Sequence, residues 1–177
     1  MRNRFAFDEL IYKGRVVEVH RVGVPTPAGE VLPRDFIHYN GAAVIMPVLD
    51  DGSVALIRNE RFAVNECLYE LPAGMLDGDE DPAVGAAREL AEETGFTAGC
   101  IQKLGTFYSM PGTSDERMHA FVATRLRPGP QRLEKYENIR VEIVSQPRLK
   151  QMVSDGTVHD AKTIAAVALY WLSKGMI

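Results

Sequence analysis

The sequence predicts an α+β fold, a mixed β-sheet with helices packed on it. Two observations carry this. Before Gly74, runs rich in Val, Ile, Phe and Tyr (GRVVEVHRVGV, RDFIHYN, AAVIMPVL and SVALIRNE) are separated by Gly, Pro and Asp, the pattern of short strands joined by turns. After Gly74 a sharply bounded helix is followed by further strands and then by two closing helices. The composition, 46% apolar and 25% charged, is that of a globular chain with enough apolar residues to build a core.

Taken in order, residues 1–40 are expected to form a small antiparallel sheet with its own turn, PTPAGE, ahead of a larger region over residues 41–177. In VLDDGSVA, Asp51-Gly52 falls between two strand-like runs and predicts a hairpin. The helix that follows starts at Asp81 as N-cap with Pro82 in the first helical position, and stops at Gly95, suited to the left-handed residue past a helix end. At 100° per residue Ala83, Ala86, Ala87 and Leu90 fall in one arc, which is the expected core face. KLGTFYSM and MHAFVATRL read as strands around the polar loop PGTSDER, with His119 on the second strand. The Pro/Gly stretch RPGPQRL leads to the strand IRVEIVS. PRLKQMVSD, ending at Gly156, and AKTIAAVALYWLSK are the last helices. Asp160 is expected to cap the latter, Tyr170 and Trp171 to lie in the core, and Lys162 to be a surface residue outside any site.

Several function classes are disfavoured. A net charge of -4 gives no basic footprint for nucleic acid. Cys67 and Cys100, the two cysteines, stand in no zinc-like spacing and suit a reducing compartment. The first residues, MRNRFAFDELIYKGR, lack a signal peptide's apolar segment, and no apolar run approaches the roughly 18 residues of a membrane helix. P-loop and Rossmann fingerprints are absent. The expectation is a cytoplasmic protein with neither nucleic-acid nor membrane partners.

The helix itself carries the chemistry. It gathers Glu89, Glu92 and Glu93 in its last turns, where backbone carbonyls already carry partial negative charge and each acid costs some tenths of a kcal/mol. Glu89 and Glu93 are also like charges four positions apart. The three acids share an arc about 100° wide that also contains Gly85. Oxygen ligands converging in this way suit a hard divalent cation such as Mg²⁺, and Gly85 suggests room for a bulky bound group. A solvated acidic face, with Arg88 as counter-charge, is the alternative.

The wider spacing decides between them. Residues 74–96, GMLDGDEDPAVGAARELAEETGF, place Gly74, Glu80, Arg88-Glu89-Leu90, Glu92-Glu93 and Gly95-Phe96 at intervals that resemble the Nudix hydrolase signature at every specified position. The resemblance implies a Nudix-type α/β/α sandwich and hydrolysis of a nucleoside diphosphate linked to another group. It also implies Mg²⁺, or Mn²⁺, with two or more ions held by Glu89, Glu92 and Glu93, and with Glu80 and Arg88 orienting those ligands.

The flanks are similar to the ADP-ribose pyrophosphatase subgroup. ELPAG leads into the signature, which by resemblance adds the Ala73 carbonyl to the metal ligands and puts Arg61 and Glu70 at the substrate. Arg61 is equally readable as an ion-pair partner only. Pro111, sixteen residues past Gly95, has the spacing associated with ADP-ribose hydrolysis, and SMPGTSDER resembles the subgroup's catalytic loop, making Glu116 the expected general base. GTVHDAKTIAA resembles a further subgroup segment. In the subgroup the N-terminal strands exchange across a homodimer and line the nucleotide pocket, so Arg34, with Phe36 and Tyr39, becomes a candidate substrate contact. The implied reaction is ADP-ribose to AMP and ribose 5-phosphate. A hydrolase of another nucleoside diphosphate sugar, such as GDP-mannose, remains open, as does a non-catalytic ADP-ribose sensor.

Overall fold

In a computed structural model of the chain, residues 5–135 and 137–176 are described; residues 1–4, at the start of the expected N-terminal region, lie outside the described residues. The chain divides into two compact units. One comprises the chain up to Gly41 together with Tyr108–Arg117; the other comprises Ala42–Phe107 and the chain from Met118 onward.

The first unit is built on an antiparallel sheet of β1 (Asp8–Lys13), β2 (Glu18–Pro25) and β3 (Val31–His38), in that order. The PTPAGE turn closes β2 onto β3: Thr26 N donates to Glu30 O and Gly29 N to Thr26 O, with Gly29 at φ +87°. Pairing then runs unbroken from Pro25 opposite Val31 to Glu18 opposite His38. Sequence periodicity did not single out β1. It reads DELIYK, is exposed along its whole length, and has a register shift between Leu10 and Tyr12. Phe36 packs its ring near Phe5, His20 and His38, inside this unit.

The second unit holds β4 (Ala42–Pro47), β5 (Val54–Arg61), β6 (Glu66–Glu70), β7 (Ala73–Met75), α1 (Pro82–Thr94), most of β8 (Phe96–Tyr108) and β9 (Arg117–Pro128), β10 (Ile139–Val144), α2 (Gln146–Ser154) and α3 (Ala161–Ser173). One sheet runs β7-β4-β9-β8, with β4 antiparallel to β7 and parallel to β9; the other runs β10-β5-β6. Side chains alternate across a strand, and β4 uses both faces. Ala43 and Ile45 pack with Ala86 and Leu90 of α1, while Ala42, Val44 and Met46 pack with Leu149 and Met152 of α2 and Ala166, Val167, Tyr170 and Trp171 of α3. The result is the expected α/β/α sandwich around a mixed sheet, preceded in the chain by a small antiparallel sheet. All of β4 is buried, which fits a run with no polar residue.

The expected hairpin at Asp51-Gly52 does not extend into a paired ladder of β4 and β5. The turn exists: Gly52 N donates to Leu49 O, Leu49 N donates to Ser53 O, and Gly52 sits at φ +84°. Beyond the single bridge between Val48 and Val54, however, β4 and β5 part into different sheets. Both edges of each strand are already taken, β4 by β7 and β9, and β5 by β6 and β10. Among the described residues no helix is long and apolar enough to cross a membrane.

Candidate active site

Helix α1 is bounded as its sequence predicts. The Asp81 carboxylate accepts from Ala83 N and Val84 N, Pro82 follows, and Gly95 adopts φ +75° with its N–H on Ala91 O. Ala86 and Leu90 are fully buried, but Ala87 is exposed, so the core stripe is narrower than the expected arc. The carbonyls at the acidic end do not go unpaired. Arg132 N donates to Glu92 O at 2.9 Å and Gln131 Nε2 to Glu93 O at 2.6 Å. The Pro/Gly stretch after β9 is therefore a C-terminal cap supplied from a distant part of the chain, which offsets part of the strain of placing acids there.

Arg88 organises the acids. Its Nε and Nη2 donate to the two oxygens of Glu80 at 3.1 and 2.9 Å, Nη2 also to Met75 O, and Nη1 to Glu89 Oε1 at 2.6 Å and Glu92 Oε2 at 3.2 Å. The Arg88 guanidinium holds the Glu80 carboxyl below its usual range. Burial raises Glu89, with Arg88 opposing. Glu93 is turned the other way: its Oε2 accepts from Ala73 N at 2.8 Å, and its side chain is almost wholly buried. Desolvation, reinforced by the Glu89 and Glu137 charges and opposed by the Ala73 N–H and Arg61, pushes its pKa up to about 8.

Two glycines make this packing possible. A Cβ on Gly74 would stand 2.1 Å from the carboxyl of Glu89, so the acid lies directly over bare backbone. Gly85 is not the vacancy for a bound group that its arc suggested. A Cβ there would meet Leu76 Cδ2 at 2.6 Å and Glu80 Oε2 at 2.9 Å, so it makes room for the loop before α1.

A second cluster surrounds Glu70. Its carboxylate has no exposed surface: Arg61 donates to both oxygens at 2.7 Å, and Lys162 Nζ also donates to Oε2. Lys162 lies 3.0 Å from Asp160 Oδ1 as well. Glu70, expected at the substrate, is here the common partner of Arg61 and Lys162. Lys162, expected at the surface and outside the site, is mostly buried and belongs to the cluster. Sequence reasoning missed it because its partner is 92 positions away. No local signal marks the adjacent Thr163 either, whose Oγ1 accepts from the equally distant Leu71 N.

The loop between β8 and β9 lies in the first unit with Pro111 and Glu116. Pro111 sits in a turn closed by Ser114 N on Met110 O. The loop is stitched to β3: Ile37 N donates to Thr113 O, Tyr39 N donates to Asp115 Oδ1, and His38 Nδ1 lies 2.7 Å from Asp115 Oδ2. Glu116 N donates to Ser114 Oγ, and Ser109 Oγ donates to the Glu116 carboxylate. Arg34 is on β3 in the same unit, its guanidinium on Pro33 O.

Among the described residues no three His, Cys, Asp or Glu side chains close into a metal cage as they stand. The donor set nonetheless fits a hard divalent cation. Its candidate ligands are all oxygens, and Glu93 is a buried carboxylate whose ionisation is opposed by two neighbouring acids, an environment that a cation would reverse.

Known proteins resemble this chain in sequence and in fold. The NUDIX domain matches residues 38–166. An ADP-ribose pyrophosphatase of Bacillus subtilis (strain 168) is 32% identical over 170 residues, covering 95% of this chain and 92% of the relative. A methanol dehydrogenase activator of Bacillus methanolicus is 29% identical over the same shares. The crystal structure of an ADP compounds hydrolase superposes with a TM-score of 0.81 at 22% identity, covering 98% of this chain and 96% of that one, a likeness of fold. The chain belongs to the Nudix family.

Proposed function

We propose that this Nudix pyrophosphohydrolase cleaves the pyrophosphate bond of ADP-ribose to AMP and ribose 5-phosphate. The observation that carries the reading is one helix bearing both the Arg88-ordered Glu89 and Glu92 and the buried Glu93 carboxylate fixed on Ala73 N, in a chain 32% identical over nearly its full length to an ADP-ribose pyrophosphatase.

Glu89, Glu92 and Glu93, with the Ala73 carbonyl, are the residues that would hold Mg²⁺ or Mn²⁺, whose bound charge neutralises the diphosphate and acidifies a water. Arg88 keeps Glu89 and Glu92 side by side and ties them to Glu80. Arg61 and Glu70 are proposed substrate contacts, the Arg61 guanidinium being fixed by both Glu70 oxygens while part of its side chain stays exposed. Glu116 is the proposed base. It accepts the proton of a water whose oxygen attacks phosphorus, a new P–O bond forms, and the bridging P–O bond breaks as the second phosphate leaves. Arg34 and Pro111 are proposed substrate contacts. A homodimer formed through the N-terminal sheet, and a cytoplasmic location, complete the proposal. β1 supports the dimer, since it is an edge strand exposing Leu10, Ile11 and Tyr12.

A hydrolysis panel with Mg²⁺ tests the substrate. A pocket hydrogen-bonded to one base leaves polar groups unpaired with another. The kcat/KM for ADP-ribose is expected to exceed that for GDP-mannose and UDP-glucose by at least about tenfold, with AMP and ribose 5-phosphate as products and no free pyrophosphate. Preference for GDP-mannose would overturn the substrate and leave the family intact.

A further inference from the structure

Residues 70–73 form a strap between the two sheets of the second unit, leaving β6 at Glu70 and joining β7 at Ala73. Each of its residues is tied down. Glu70 is held by Arg61 and Lys162, Leu71 N donates to Thr163 Oγ1 at 2.8 Å, Pro72 O accepts from Ile45 N at 2.9 Å, and Ala73 N donates to Glu93 Oε2 at 2.8 Å. The strap thus runs from the first turn of α3 to the buried acid of α1.

We propose, building on the cation site just described, that Thr163 is a positioning residue for that site, acting through the strap's backbone. Its hydroxyl has a defined direction. The hydrogen is donated to Asp160 Oδ2 at 2.6 Å, the carboxylate that also caps α3 through Thr163 N, which leaves an oxygen lone pair for Leu71 N. Thr163 and Leu71 are both fully buried, so water cannot replace that bond. Removing the hydroxyl orphans the Leu71 N–H, and the strap relieves this by shifting. Ala73 is two residues further along, so a shift of the strap moves the N–H that orients Glu93 and the carbonyl proposed as a ligand. Partners of this kind, one step removed from the ligands, set affinity through geometry.

Thr163→Val keeps the shape and deletes the hydroxyl; Thr163→Ser keeps the hydroxyl and deletes a methyl. Mn²⁺ affinity is read without substrate, by electron paramagnetic resonance of free Mn²⁺, at a temperature well below the melting point of each variant in EDTA. Thr163→Val is expected to weaken Mn²⁺ binding roughly tenfold and to raise the Mg²⁺ concentration giving half-maximal hydrolysis by a similar factor, while Thr163→Ser stays within about twofold of the native protein. If Thr163→Val does not fold, Thr163→Ala, which cannot overpack, carries the same comparison. Native-like Mn²⁺ affinity in a folded hydroxyl-free variant, even with a lowered melting point, would reduce Thr163 to a structural residue and overturn the proposal. So would equal weakening in Thr163→Ser, or the absence of Mn²⁺ binding by the native chain. A native protein that binds Mn²⁺ but hydrolyses no nucleotide sugar would instead overturn the proposed function and leave this comparison standing.

Discussion

Burial, more than any neighbouring charge, sets the character of Glu93. Its carboxyl has an ordinary value of 4.5 and is raised to about 8 in the folded chain. Between those values the native state holds a proton that the unfolded state has released, so stability without metal is present at the acidic end of the window and is lost as pH rises through it. The melting temperature in EDTA is therefore expected to fall between about pH 5 and 8, and Mg²⁺ to flatten the decline by taking the proton's place. Glu93→Gln, which mimics the protonated form, should flatten the slope and leave only the part contributed by Glu89, which burial also raises. The same variant should lose kcat several hundred-fold or more, on the order of 4 kcal/mol in the transition state. Native turnover in Glu93→Gln would end its assignment as a ligand. The acids of the site were legible because their spacing along one helix is local. Lys162 and Thr163 were not, since what they hold on Glu70 and Leu71 lies 92 positions away and no periodicity links the two.

At the scale of the element, α1 shows which signals a chain writes locally. Asp81, Pro82 and Gly95 set its ends by rules that involve a few residues each, and all three act as expected. What packs on its sides is decided elsewhere, which is why Gly85 was misread and why Ala87, expected in the core, faces out. The terminus itself depends on a remote segment. A Cβ on Gly95 would come within 2.3 Å of Gly129 O, which is backbone and not free to swing away, and its φ of +75° is costly for any other residue. Gly95→Ala is expected to cost at least about 2 kcal/mol, lowering the melting temperature by roughly 5 °C in a chain of this size. Because the 129–132 segment would be displaced from the carbonyls of Glu92 and Glu93, Mg²⁺ affinity should fall as well; calorimetry and metal titration check the two effects separately. Unchanged stability would mean that the segment yields without cost. The turn at Gly52 teaches a related lesson: a two-residue signal specifies a reversal of the chain, while the sheet that each arm joins depends on strands the turn does not touch.

For the whole molecule, a mixed sheet with packed helices was legible from the order of strand and helix runs, and the sandwich from the resemblance that one complete signature carries. The extent of β1 was not, because its charged and apolar residues give no clean alternation. That strand leaves Leu10, Ile11 and Tyr12 exposed on a sheet edge, and the proposed homodimer covers them. A chain beginning near Asn40 is expected to be monomeric or insoluble by light scattering, and the full chain dimeric; a fully active, monodisperse full-length monomer would rule the dimer out. The stitching of the 109–116 loop to β3 has a consequence for how such proteins diversify. The proposed base, Glu116, rests on residues 37–39 of the N-terminal segment, whereas the acids of α1 rest on the sandwich. Transplanting the sandwich alone into a relative would leave this base on foreign ground. Recombination that respects function must therefore carry two stretches of chain, far apart in the gene, as one inherited block.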